Sequence, residues 1–326
     1  MSDPVKIGMI GVGSHAKKVL LPALLSVSGL KLVCACTAHK ETAATVQDTY
    51  RLKCYTGYEA MLKDADIQGF LVVGGNHEEE MLACLLADKH VFCETPGINT
   101  FSAAEKIIRL REEKNKLVMI GRCLRFAPIY QEMKKRLDHW RQHAPSERMF
   151  NVSYYPPIEH FYDLLAFLNG PVQEVLSYGA GSQKIINLKF CNGDIAVITV
   201  SNFNNWTPEY EKVEITWTGG LLRATNGNQL VFHPTPEKLD TRKAEFCFES
   251  AHFEGNLANF SFPYAGMRQL VMRGYIPELE DFARCISEKR NSSSSIENAL
   301  DLLALRNAIA ESEKSRTWVS LQNSNK

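Results

Sequence analysis

Three short runs carry residue types that suit dinucleotide chemistry. In GVGSHA, residues 11–16, Gly11 permits a tight turn and Gly13 lets backbone approach a pyrophosphate. Ser14 and His15 follow, and Ala16 keeps the third motif position small enough for a helix to pack on a strand. HVFCETPG, residues 90–97, ends an apolar run in an acid, a hydroxyl and a ring without an N–H: Glu94, Thr95 and Pro96. GGNHEEE, residues 74–80, ends another such run with Gly74, Asn76 and His77. Ligands of open parallel sheets gather at the carboxyl ends of strands, so these residues are candidate cofactor contacts. Pro96 would also serve simply to stop a strand, and Glu79 and Glu80 suit a helix N-terminus, where negative charge meets the macrodipole.

The run CACTAHKE, residues 34–41, bears on cofactor choice. Folds that prefer NAD place an Asp or Glu at the end of the second strand, where it accepts from the adenosine ribose and repels a 2′-phosphate. Thr37 stands there instead, and a hydroxyl can donate to a phosphate. His39 and Lys40 follow with positive charge, so NADP is favoured over NAD.

These runs are positioned by an alternation of elements. VKIGMIG, LKLVCAC, KCYT, GFLVVGG, HVFCE and KLVMIG read as strands. Between them, KKVLLPALLSV, KETAATVQDTYR, EEEMLACLLAD and SAAEKIIRLREEKN read as helices. Strands alternating with helices imply right-handed βαβ crossovers and a doubly wound parallel sheet. After Gly121 the pattern changes to helix PIYQEMKKRLDHW, strand RMFNVSYY, helix IEHFYDLLAFL and a series of short strands. KIINLKF and DIAVITVSNF flank CNGD, whose Asn192 and Gly193 signal a hairpin. VEITWT, LLRAT, QLVFH and EFCFES continue a mostly antiparallel sheet, and two helices close the chain. The expected organisation is α/β: a dinucleotide-binding domain over 1–122 and a second α/β domain with an open, mostly antiparallel sheet over 123–326.

Composition narrows the partners. Lys plus Arg is 37 and Asp plus Glu is 37, so no net positive charge favours direct nucleic-acid binding. No window approaches 18 consecutive apolar residues and no secretory pattern opens the chain, so a cytoplasmic protein without a membrane partner is expected. Nine scattered cysteines suggest neither a disulfide framework nor zinc. His139 and His143, four apart, read as a solvated helix end, and no metal is expected.

Together GVGSHA, GGNHEEE, KHVFCETP, RFAP, HFYD and the ending PELEDFARCI with ENALDLLALRNAIAES resemble the Gfo/Idh/MocA family of NAD(P)-dependent oxidoreductases, over nearly the whole chain. The resemblance implies a Rossmann domain, a second domain whose sheet forms a homo-oligomer interface, and hydride transfer to or from a carbonyl, alcohol or imine of a small sugar-like substrate. It also marks departures. The family's E-K-P lysine is replaced by Thr95, a hydroxyl that can orient but hardly protonate. In the D-x-G-x-H-x-x-D pattern His160 and Asp163 remain, while Pro156 and Ile158 hold the places of the first Asp and the Gly. The implied catalytic set is therefore His160, Thr95 and Asp163, with Arg125, Tyr154, Glu159 and Tyr162 toward substrate. The alternative is a catalytically silent nucleotide-binding regulator on the same fold.

Overall fold

Val5–Ile10 (β1) is buried at five of six positions. The computed structural model describes residues 3–143, 147–154, 159–180, 183–202, 209–234, 253–256 and 265–321. The chain divides into two compact units, residues 1–126 with 266–303 and residues 127–265 with 304–326.

In the first unit, β1 is joined by Leu30–Cys36 (β2), Lys53–Tyr55 (β3), Gly69–Val72 (β4), His90–Cys93 (β5) and Val118–Ile120 (β6). The order is β3-β2-β1-β4-β5-β6 and every pairing is parallel. Such a sheet is covered on both faces, which is why β4 is buried at all four positions and its run is apolar throughout rather than alternating. Strand order reverses between β1 and β4, so the ligand crevice lies beyond their carboxyl ends.

Helical residues expected from 17 to 27 divide into a π-turn, Ala16–Leu20, and a short α1, Leu21–Leu24. Pro22 has no N–H for the carbonyl four residues back, and the turn ahead of it closes at five, Leu21 N–H donating to the Ala16 carbonyl. Lys40–Tyr50 (α2), Glu59–Leu62 (α3), His77–Leu86 (α4), Phe101–Lys114 (α5) and Cys123–Phe126 (α6) complete this stretch. Cys34 and Cys36 share a face, as expected of alternate strand positions, and both join one buried cluster with Phe70 and Met81.

The second unit begins with Pro128–His143 (α7), Met149–Tyr154 (β7) and Glu159–Asn169 (α8). Its strands are Val172–Ala180 (β8), Gln183–Phe190 (β9), Ile195–Val200 (β10), Lys212–Trp217 (β11), Gly220–Thr225 (β12), Gln229–Pro234 (β13) and Phe253–Asn256 (β14). The chain then returns to the first unit with Ala265–Met272 (α9) and Tyr275–Glu288 (α10), and ends in Ile296–Ser315 (α11) and Val319–Ser320 (β15). The described sheet runs β14-β13-β12-β11-β7-β10-β9-β8-β15, antiparallel except where β7 meets β10. The Asn192-Gly193 hairpin forms, with Gly193 at φ +91° and the Asn192 side chain accepting from Asp194 N–H at 3.1 Å. EFCFES, residues 245–250, lies outside the described residues. No described helix is long and apolar enough to cross a membrane.

Candidate dinucleotide site

The turn after β1 is built for close backbone approach. Gly11 holds φ +90°, and a Cβ there would stand 2.7 Å from the Gly74 nitrogen, so the glycine is needed for both conformation and space. Its N–H donates to the Cys36 carbonyl at 3.0 Å, fastening the turn to the end of β2. Gly13 differs: a Cβ there would meet nothing within 4 Å, so its backbone faces open space of the kind a pyrophosphate requires. Ala16 is fully buried, the packing role expected of the third motif position.

That turn opens on a groove of about 790 Å³. Residues 11–14 with Lys17 and Lys18 supply part of its wall, Thr37, Ala38, His39 and Thr42 follow β2, Thr56 to Glu59 follow β3, and Gly74, Gly75 and Glu80 follow β4. Of the predicted contacts, Gly11, Gly13, Ser14, Thr37, His39 and Gly74 therefore come together here. Lys40 opens α2 as an exposed residue and Asn76 is the N-cap of α4; neither lines the groove. Sequence reasoning missed Lys17, Lys18 and Glu80 as lining residues. Glu80 had a readable signal, because it shares the buried stripe of α4 with Met81, Cys84 and Leu85.

A second cluster forms at the end of β5. Glu94 is buried; its Oε2 accepts from Thr95 N–H at 3.3 Å, and its Oε1 lies 3.6 Å from His15 Nε2. The Glu94 carboxylate raises the His15 pKa above its usual value against the opposing effect of partial burial. The His15 ring is tilted against Tyr275 with centroids 5.9 Å apart. His77 shifts the other way, lowered by burial more than the Val73 carbonyl and Glu94 can compensate. The Thr95–Pro96 peptide is cis, and the buried Arg122 guanidinium donates to the carbonyls of Pro96 at 3.2 Å and Gly121 at 3.0 Å. Arg122 N–H in turn donates to the buried Glu278 carboxylate on α10.

The remaining candidates divide by burial. Arg125 is buried on α6, and its guanidinium donates to the Ser293 carbonyl within the first unit. In the second unit Tyr154 is buried with its ring 3.8 Å from that of Phe161, and Tyr162 and Asp163 are buried on α8. Glu159 and His160, at the start of that helix, keep partial exposure. Pro156 and Ile158 lie outside the described residues.

Comparison with known proteins agrees with the first unit. Residues 5–122 match the Gfo/Idh/MocA model, an oxidoreductase family with an NAD-binding Rossmann fold. Over those residues the chain is similar to the Gfo/Idh/MocA family. An inositol 2-dehydrogenase of Salmonella typhimurium is 28% identical over 160 residues, which is 47% of this chain and 48% of that protein. The match thus spans about half the relative's length. A Salmonella typhimurium protein provisionally designated an oxidoreductase, YceM, is 22% identical over 296 residues, covering 84% of this chain and 96% of that one. Among solved structures, levoglucosan dehydrogenase in complex with NADH and L-sorbose superposes with a TM-score of 0.84 at 17% identity, covering 98% of this chain and all of the other. The fold shared with levoglucosan dehydrogenase therefore extends through both units.

Proposed function

We propose that the protein is an NAD(P)-dependent oxidoreductase acting between nicotinamide and a carbonyl, alcohol or imine of a small, polar, sugar-like substrate. The observation that carries this reading is the Gly11–Gly13 turn, packed too closely against Gly74 for any side chain at Gly11 yet open above Gly13, at the mouth of a groove walled by the ends of β1, β2, β3 and β4. The likeness to an inositol 2-dehydrogenase favours it over a silent regulator. When bound, the nicotinamide supplies or accepts the hydride. In a fold of two mononucleotide halves, the groove over β1 to β3 suits adenosine, and the Glu94, Thr95 and His77 cluster over the other half suits nicotinamide.

In this reading Thr95 orients through its hydroxyl, Asp163 supports α8 from within its core, and His160 exchanges the proton with substrate, aided by Glu159. Thr37 and His39 at the groove, with Lys40 only as a nearby positive charge outside it, tip the choice toward NADP. The protein is cytoplasmic and self-associates through the second unit's sheet, where Met149, Tyr178 and Ile195 are exposed. Titrating NADPH and NADH at fixed moderate salt, followed by intrinsic fluorescence, tests the reading. NADPH is expected to bind more tightly; tighter NADH would reject the preference, and no binding of either would reject the oxidoreductase assignment.

A further inference from the structure

We infer that Glu80 is a further dinucleotide contact that carries a proton while the dinucleotide is bound, presenting a neutral carboxylic acid to the adenosine end of the groove. The inference deepens the functional reading above and rests on it. Glu80 lines the groove from α4 yet is only 7% exposed. Among the described residues its buried Oε2 meets no hydrogen-bond partner and the side chain makes no ion pair. The carboxyl is held under the loop after β4: a Cβ on Gly75, itself at φ +97°, would fall 2.1 Å from Glu80 Oε1. A buried carboxyl with an unpartnered oxygen costs stability unless something satisfies it, and the cavity that this side chain lines is the groove.

The surroundings determine its charge. The titratable groups whose charges act on it or feel its own are Cys36 from β2, Tyr58 ahead of α3, Cys84 on α4, Cys93 on β5 and the neighbouring Glu79, none of them cationic. Lys17 and Lys18 line the same groove without pairing to it. Burial, with Glu79 adding, lifts the carboxyl to about 7. A dinucleotide adds phosphate charge to this groove and so raises the cost of ionising Glu80 further. The neutral acid has one donor and spare acceptor capacity, matching the acceptors and donors of adenine and ribose. Binding is therefore linked to proton uptake, and affinity falls as pH rises through the free-protein midpoint.

The test is calorimetric titration of NAD and NADP into the purified protein in buffers of different ionisation enthalpy. Wild type should take up about half a proton near pH 7.5 and lose roughly fivefold in affinity between pH 6 and 8. Glu80→Gln should abolish the uptake and flatten the profile, while Glu79→Gln, at an exposed neighbour whose charge is the smaller cause of the shift, should keep a pH-dependent uptake displaced to lower pH. Should Glu80→Gln fold poorly, carboxyl carbon NMR of wild type reads the same linkage, the Glu80 midpoint rising when dinucleotide is added. An unmoved midpoint, or uptake persisting in folded Glu80→Gln, would overturn this inference alone. Failure of wild type to bind either dinucleotide would overturn the functional reading with it.

Discussion

Glu94 acts on two histidines at once, and its effect on His15 is the more exposed to measurement. Because the folded pKa of His15 is raised, the pair's stabilisation is fully present below the unfolded value of 6.5 and is lost as pH climbs through the folded one. Glu94→Gln should move the His15 midpoint down toward 6.5 in a proton NMR titration, and an unchanged midpoint would assign the shift elsewhere. Turnover provides a separate check. His160→Ala is expected to lower kcat by roughly a hundredfold with dinucleotide affinity retained, and full activity would remove His160 from its role. Thr95→Val should cost about 1 kcal/mol, the loss of one hydrogen bond. Glycine and strand-end residues of this site were visible in sequence because their types answer local needs: a positive φ, a close approach, an abrupt stop. Glu80 was legible only in part: its place in the apolar stripe of α4 marks it as facing inward, but nothing local to the sequence says that it lies beneath Gly75.

Elements here are pinned by side chains from their neighbours. Glu78, one residue into α4, turns away from its own helix, and its Oε1 accepts from Asn99 N–H at 2.6 Å and Thr100 N–H at 2.9 Å, ahead of α5. Thr100 in turn caps α5 by accepting from Ala103 N–H at 3.3 Å. Glu78→Ala should therefore destabilise by about 1 kcal/mol in chemical denaturation, with the loss in the α4–α5 pairing rather than in α4. Gly11→Ala forces a Cβ into the Gly74 backbone and a left-handed residue that costs about 1–2 kcal/mol. Dinucleotide affinity should drop about tenfold. Most strands could be located within one or two residues, because the first sheet's runs are mostly apolar and the second sheet's alternate, as in β11. β8 was not recognised: its register shifts between Val172 and Glu174, and the bulge breaks the period of two that marks a half-buried strand.

Across the molecule, the first unit is not finished by its own N-terminal stretch. α10, arriving some 150 residues after α6, sends Leu279 and Phe282 into the core beside Met9 and Phe92, whose ring lies 5.8 Å from that of Phe282. Residues 1–126 expressed alone should therefore bind a hydrophobic dye and melt without cooperativity, and appending 266–303 should restore a sharp transition. A cooperative fragment 1–126 would contradict this. Sequence periodicity recognised α10 as a helix but could not say which core it serves, because that depends on contacts between residues far apart in the chain. The cysteines carry a practical corollary. Seven of the eight described ones are buried and Cys191, at the β9–β10 hairpin, is exposed. Burial lifts the Cys34 and Cys36 thiols to about 11 and about 12, so at neutral pH they hold almost no thiolate with which to attack an alkylating reagent. Among the described cysteines, a maleimide should tag Cys191 within minutes and reach the others only as the chain opens. The native protein thus offers an attachment point for a fluorophore and, in its silent thiols, a stopwatch for unfolding.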